Sequence, residues 1–398
     1  VPEIIVIGAG IIGCSCAYEL ARRGARVTLL DARPAGRGAT QASAGVLAPF
    51  IEAPADTALQ RLCVSGLELY DDFVTAVARD AQVDVEYHRN GTIEVALDQD
   101  EAEALERTAD VLRGMRVPHE LLHGSAIHAA DSAISPAAEA ALVVPGHGFV
   151  SAPGLTAALV RAGAAHGVQL REGVRVTRIA PRGTTAIADR SDEATRPGAG
   201  SIVVGTGAGV RIETSEGPIE ADAVLLAAGS WSGVIDIDGV PPAPIRPIRG
   251  QLLHLAWKTA PLTRVVWGSR CYMVPWDSGR VLVGATVEEV GFVEEVTVAG
   301  IQALLTAAIE LVPRTAAAGF LEARVGLRPA SADTLPIIGP SPDLPGLFYA
   351  TGHYRNGILL APLTAAIIAD IVISGRAHPL LELAAPGRTP HAVSASQH

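Results

Sequence analysis

Six consecutive residues near the start of the chain, Gly8-Ala9-Gly10-Ile11-Ile12-Gly13, have the spacing Gly-x-Gly-x-x-Gly directly after an apolar run. Each glycine in this pattern has its own task. Gly8 permits a tight turn, Gly10 lets the main chain approach a pyrophosphate at a helix N-terminus, and Gly13 lets that helix pack closely on the preceding strand. Residues 4–7 read as a buried strand. Residues 11–23 carry Ile12, Cys16, Leu20 and Ala21 at helical spacing, and residues 26–30 form a second strand ending in Asp31. A carboxylate there is placed to accept hydrogen bonds from a ribose diol. Glycines, flanking strands and terminal acid together point to a dinucleotide, without saying which one.

The elements that must position such a site can be traced along the chain. Residues 37–49 (RGATQASAGVLAP) are small, polar and glycine-bearing, as suits backbone lying close to a ligand. Residues 59–77 and 101–112 read as helices, with strand material near 92–97. A further helix spans 153–166 after Ser151-Ala152-Pro153, and more strand follows at 168–179. Residues 181–210, rich in Gly, Thr, Ala and Ser, read as a flexible hairpin insertion. Residues 221–232 (ADAVLLAAGSWS) form a buried strand running into a glycine-bearing turn that returns to the dinucleotide. Residues 245–292 alternate as antiparallel strands with a turn at Asp277-Ser278-Gly279. A helix at 299–311, a strand at 347–350 and a helix at 357–373 complete the chain.

The expected fold class is α/β plus α+β. A Rossmann-like domain assembled from residues 1–80, 145–235 and 325–385 binds the dinucleotide. An antiparallel β-rich substrate domain comes from 81–144 and 236–324, and residues 386–398 are a disordered tail.

Composition excludes several classes. With 398 residues, 49% of them hydrophobic, the chain can build two packed cores. A net charge of −11 and no Lys/Arg-rich block argue against nucleic acid. The longest apolar stretch, 357–373, contains Pro362 and Asp370 and is expected to be too short and too interrupted to span a bilayer. No signal peptide is expected before the first strand. Four cysteines without metal-ligand or disulfide-framework spacing make a reducing cytoplasm the expected setting.

The N-terminal GAGIIG, the ATQASAG loop, LLAAGSWS, RGQ at 249–251, CYMVP at 271–275, GLRPASAD at 326–333 and GHYRNGILLAP at 352–362 occur in a fixed order. In that order they resemble the FAD-dependent amine oxidases related to D-amino-acid oxidase, and within them the glycine oxidases of the thiamine pathway. The resemblance covers essentially the whole chain. GLRP followed by GHYRNGILLAP is its narrowest part.

The resemblance implies FAD as cofactor. It assigns cofactor contacts to Gly8, Gly10, Ile11, Ile12 and Gly13; to Asp31, Ala32 and Arg33; to Thr40, Ser43, Ala44, Gly45 and Val46; to Val174; to Ala228, Gly229 and Trp231; to Arg328; and to His353, Tyr354, Arg355, Asn356, Gly357, Ile358 and Leu359. Oxidising an amino acid by hydride transfer to flavin requires a carboxylate anchor, an apolar chamber and a neutral amine, but neither metal nor nucleophile. Arginine suits the anchor because its planar fork grips a carboxylate with two bonds. By resemblance Arg328 is that anchor, Tyr272 the second carboxylate contact and Arg355 an arginine beside substrate and flavin. The helix after residue 356 turns its positive dipole end toward the flavin edge that becomes negative on reduction. His353 is read as structural or flavin-contacting rather than as a base, and Arg270 as solvated at the pocket rim.

No cysteine occurs over residues 323–327, where related sarcosine oxidases link their flavin, so FAD is expected to be noncovalent. Val46 and Val287 are expected to line the pocket with small aliphatic groups. The implied reaction converts glycine or another small amino acid to oxo acid, ammonia and hydrogen peroxide with dioxygen. Sarcosine, D-proline and other D-amino acids, oxidised by an oxidase or a dehydrogenase, are the alternatives, and a flavin-binding scaffold without turnover comes from a different class. The family suggests a homotetramer.

Overall fold

The N-terminal βαβ unit forms as its pattern predicts, with strand Glu3–Ile7, helix Ile11–Arg22 and strand Arg26–Asp31. The computed structural model describes residues 1–53, 57–183, 209–257 and 262–388. Six strands make the central sheet in the order Ile337–Pro340, Leu347–Thr351, Ala223–Leu226, Glu3–Ile7, Arg26–Asp31, Gln169–Glu172. All neighbours run parallel except the first pair, which is antiparallel at one edge. Both faces are covered. Ile4, Val6, Ala223 and Leu225 face one apolar cluster and Ile5, Ile7, Val224 and Leu226 another. That double burial explains why these strands read as unbroken apolar runs rather than alternating ones.

The C-terminal helix Gly357–Ser374 packs in the same cluster as the first helix, and Arg23 joins the two helices by binding Glu19 and, at 2.6 Å, Asp370. The expectation that residues 357–373 are too interrupted to span a bilayer needs correction. The helix runs through Pro362 for 18 residues and is long and apolar enough to cross a membrane by length and composition; here most of it is buried inside the protein. Pro362 has no N–H to offer the carbonyl of Ile358, one helical turn earlier. The Tyr70 hydroxyl takes that place, donating to Ile358 O at 2.8 Å from a neighbouring helix. The carbonyl is satisfied and the helix continues.

A second, eight-stranded sheet has the order Gly319–Ala330, Arg246–Ala256, Arg280–Gly284, Tyr272–Pro275, Val265–Trp267, Thr92–Ala96, Ala140–Val144, Glu120–His123. It is antiparallel except where Val265–Trp267 meets Thr92–Ala96. The predicted turn at residues 277–279 closes the strands Tyr272–Pro275 and Arg280–Gly284, with Gly279 at φ +76°. Strand Gly319–Ala330 pairs with Arg246–Ala256 along its whole length. The expected boundary at 325 therefore falls within one continuous strand.

Other expectations change in detail. The single helix over 59–77 is two, Ala58–Glu68 and Tyr70–Ala81, meeting at Leu69. Strands Val176–Pro181 and Val210–Thr214 pair antiparallel at the base of the expected hairpin insertion, whose residues 184–208 lie outside the described residues. Within the segment expected as a disordered tail, 386–398, Arg388 binds both oxygens of Asp333, at 2.9 and 2.7 Å, and also Leu335 O. Residues 389–398 lie outside the described residues. All four cysteines are unpaired and buried.

Candidate active site

A cavity of about 570 Å³ runs from the end of the Arg26–Asp31 strand to the eight-stranded sheet. Its first part is shaped by missing side chains. Gly8 has φ +106°, and a Cβ there would lie 2.4 Å from Ala227 O; one on Gly13 would lie 1.7 Å from Gly8 O. Gly45 has φ +71°, and its Cβ would meet Val150 O at 1.8 Å. The turn and the helix start can therefore pack together, and the 37–49 loop against strand Gly148–Val150, only with glycine at these positions.

Gly8, Gly10, Ile11, Ile12, Asp31, Ala32, Arg33, Thr40, Ser43, Ala44, Val174, Ala228, Gly229 and Trp231 line this part. Gly13, Gly45 and Val46 stand behind the wall; Val46 pairs with Phe149 in a small sheet. Asn356 and Leu359 are likewise not in the wall, one preceding the last helix and the other buried in the core.

Several of these side chains already have protein partners. Thr40 Oγ1 accepts the Ile11 N–H at 3.0 Å, which removes that donor from any ligand. Asp31 accepts Ala9 N–H at 2.7 Å and Arg33 N–H at 2.8 Å. Burial raises its pKa, opposed by those two bonds. Each oxygen keeps capacity for a second donor. The Arg33 side chain binds Glu294 with two bonds and covers the Trp231 ring, 4.3 Å from its centroid. Val174 donates its N–H to Asp31 O at 2.9 Å. A main-chain hydrogen bond from Val174 to a ligand would thus use its carbonyl oxygen.

Toward the eight-stranded sheet the wall changes character and Tyr272, Arg328, His353, Tyr354, Arg355, Gly357 and Ile358 converge. Two further glycines make the space. A Cβ on Gly250 would strike the Arg328 guanidinium at 2.3 Å, and one on Gly284 would meet the Tyr272 hydroxyl at 2.5 Å. This accounts for the RGQ motif residue by residue. Arg249 pairs with Glu288, Gly250 accommodates Arg328, and buried Gln251 binds Glu288 and Thr297 to hold the following loop. The LLAAGSWS motif anchors the opposite wall, since Ser230 Oγ donates to Leu327 O at 2.9 Å and Ser232 bonds Thr351 at 2.9 Å.

Arg328 donates from Nη1 to Thr286 O at 2.9 Å and to Arg249 O at 3.4 Å. Among the described residues its other nitrogens have no protein acceptor. Burial lowers its pKa, but an arginine keeps its proton in proteins. Burial raises the pKa of Tyr272, opposed by Arg328 and Arg355, so its phenol remains a neutral donor. His353 is 2% exposed, shares a 2.9 Å hydrogen bond with Thr364 and is pushed by burial to about 3. The imidazole is therefore neutral, and it lines the cavity. Arg270 is 59% exposed at the rim and pairs with Glu310. Val287 lines the cavity while remaining half exposed.

Two wall residues carried no sequence signal. Trp267 stacks beside Tyr272 at 4.8 Å. Glu52, 10% exposed, lies 3.2 Å from Arg355, and it is the leading influence raising that arginine's pKa. The only trace either leaves is a lone acid in the apolar run 46–53, VLAPFIEA.

A glycine-lined groove at a helix start, opening under a β-sheet onto a half-buried guanidinium and a phenol, defines a dinucleotide-dependent oxidoreductase with room for an anionic substrate. The family of FAD dependent oxidoreductases (DAO) matches residues 3–371, and the chain belongs to it. It is 32% identical to the glycine oxidase of Geobacillus kaustophilus over 93% of this chain and 92% of that protein. The solved structure of a glycine oxidase from that organism superposes with a TM-score of 0.86 at 30% identity, covering 98% of this chain and all of the other. The bifunctional protein ThiO/ThiG of Nostoc sp. is 33% identical over 95% of this chain, which spans 54% of that longer protein. The residues in hand fit FAD: Gly8 and Gly13 leave no room for a Cβ where the first strand turns into the first helix, and Thr40 takes the Ile11 N–H at that helix start while Gly10, having no side chain, takes none.

Proposed function

We propose that this chain is an FAD-dependent oxidase of glycine or another small amino acid, with the cofactor held noncovalently. The supporting observation is the half-buried Arg328 guanidinium, which lines the cavity beside Tyr272 and is bonded to main-chain carbonyls on one nitrogen. FAD, when bound, supplies the hydride acceptor.

Gly8, Gly10 and Ile12 would hold the pyrophosphate against the first helix, and Asp31 the ribose. Ala32, Arg33, Val174 and Trp231 would flank the adenine end. Thr40, Ser43, Ala44, Ala228 and Gly229 would follow the cofactor inward, with Gly13, Gly45 and Val46 shaping that path from behind. The start of the last helix, Gly357 and Ile358 backed by Asn356 and Leu359, would place its dipole against negative charge. His353 and Tyr354 would pack beside it.

Arg328 and Tyr272 would fix the substrate carboxylate, with Arg355 nearby, orienting the α-carbon in a water-poor chamber. No side chain needs to act as base if the amine arrives neutral. The imine product hydrolyses to oxo acid and ammonia, and dioxygen takes the electron pair to give hydrogen peroxide. We place the enzyme in a reducing cytoplasm as a homo-oligomer, for which a tetramer mass by light scattering is the check.

Anaerobic titration of the holoenzyme with glycine, sarcosine, D-alanine, D-proline and D-aspartate, followed by air, tests the reading. Bleaching by a small amino acid and rapid recovery with peroxide supports it. Bleaching without recovery points to a dehydrogenase, and a flavin that no amino acid bleaches would overturn it.

A further inference from the structure

Glu52 belongs to no motif, yet its carboxylate shares a cavity wall with Tyr272, Arg328 and Arg355. It ends the short helix Pro49–Glu52, which is held in place on both sides. Phe50 stacks on buried His147 with centroids 5.6 Å apart, and Ile51 packs against the cluster containing Trp267 and Tyr272. The main chain of Glu52 is fixed by its N–H donating to Ala48 O at 3.0 Å. Its side chain is therefore presented to Arg355 by a packed helical turn, with Oε2 lying 3.2 Å from Nε.

The chamber holds two guanidinium groups and one carboxylate before substrate enters. A monocarboxylate gripped by Arg328 cancels the remaining positive charge. A second carboxylate on the substrate would need Arg355 as its partner. It could have it only by displacing Glu52 or by sitting against it, and either leaves like charges close together beside a carboxylate whose side chain is 10% exposed, with Arg355 itself 39% exposed. Discrimination of this kind works by penalising the wrong ligand rather than by favouring the right one.

We infer that Glu52 is a specificity-determining residue: by occupying Arg355 it restricts the chamber to substrates with a single carboxylate. This rests on the amino-acid reading above.

The test uses the holoenzyme and two unreactive probes, acetate and malonate, with dissociation constants read from perturbation of the flavin visible spectrum. Replacing Glu52 by the isosteric Gln (E52Q) should raise the malonate-to-acetate affinity ratio at least tenfold, and E52Q/R355Q should return it toward wild type. A merely structural role would weaken both probes together and leave the ratio unmoved, which would overturn the inference. A gain that survives in E52Q/R355Q would overturn it too, since the effect would not run through Arg355. Should E52Q fail to retain FAD, E52A reads the same ratio. A wild-type protein that binds acetate but whose ratio ignores residue 52 sinks this inference alone. One that neither binds acetate nor is bleached by any amino acid sinks it together with the amino-acid reading.

Discussion

The two ends of the cavity are built from different material. At the dinucleotide end the decisive residues are glycines, and what matters is the absence of a Cβ: at Gly8, Gly13 and Gly45 there is no room for one. At the proposed substrate end the wall carries long polar side chains, Glu52, Tyr272, Arg328 and Arg355, each from a different segment of chain. Main-chain recognition needs several consecutive residues in one conformation, so it leaves a compact motif. Side-chain recognition needs only convergence in space, so it leaves isolated letters. The glycines Gly250 and Gly284 belong to both schemes, since they are empty so that Arg328 and Tyr272 can be large.

If the dinucleotide end depends on empty space, Gly13→Ala should do the greatest damage. Its new Cβ would have to displace the Gly8 carbonyl, overpacking worth about 1–3 kcal/mol in the apoprotein. The expected result is protein purified without yellow colour and with a lowered melting temperature; a full complement of FAD would refute the account of that end. Arg328→Met probes the opposite end and should leave the flavin spectrum intact. It should raise the KM of the preferred amino acid about 10- to 150-fold, the equivalent of a charge-assisted hydrogen bond of about 1.5–3 kcal/mol. An unchanged KM removes Arg328 from the site.

His353 sharpens the contrast, because it sits in the wall yet is predicted to affect stability rather than chemistry. Its folded-state pKa of about 3 lies below the 6.5 of the free group, so the unfolded chain takes up the proton first as pH falls. Stability is fully present above about 6.5 and declines between there and the folded value, by up to about 1.4 kcal/mol per pH unit for one such group. Buried His147, also pushed to about 3, adds in the same direction. Melting curves from pH 7 to pH 4 should fall less steeply for His353→Gln than for wild type, and parallel curves would count against a buried neutral imidazole. The smallest effect is expected for Tyr272→Phe, which removes one neutral donor worth about 0.5–1.5 kcal/mol. A KM rise of about 2- to 12-fold is the matching measurement.

The same contrast explains what could be read from the chain beforehand. The βαβ unit, the returning strand at Ala223–Leu226 and the last helix were legible because burial on both faces writes long apolar runs, and because the glycine turn is contiguous. Arg328, Tyr272 and Arg355 were recognisable only through the motifs around them; alone, an arginine at a strand end looks like any surface ion pair. Glu52 and Trp267 had no such neighbourhood. Pro362 was misread for a related reason, since the group that keeps the helix intact is the hydroxyl of Tyr70, far away in sequence. The capture of the Ile11 N–H by Thr40 was equally invisible, because a threonine in a polar loop gives no hint of its partner.

The strand order of the central sheet also has a consequence for the birth of the protein. Strand Glu3–Ile7 is made before its partners; Arg26–Asp31 can pair with one side of it almost at once, while its other side must await Ala223–Leu226 and, beyond that, Leu347–Thr351. Closing such distant pairings is slow, and an unpaired apolar strand edge is an invitation to wrong partners. Until residue 347 has been made, the chain therefore carries an unfinished seam through what becomes its nucleotide-binding core. A nascent chain cut short before residue 347 should depend on chaperones to stay in solution.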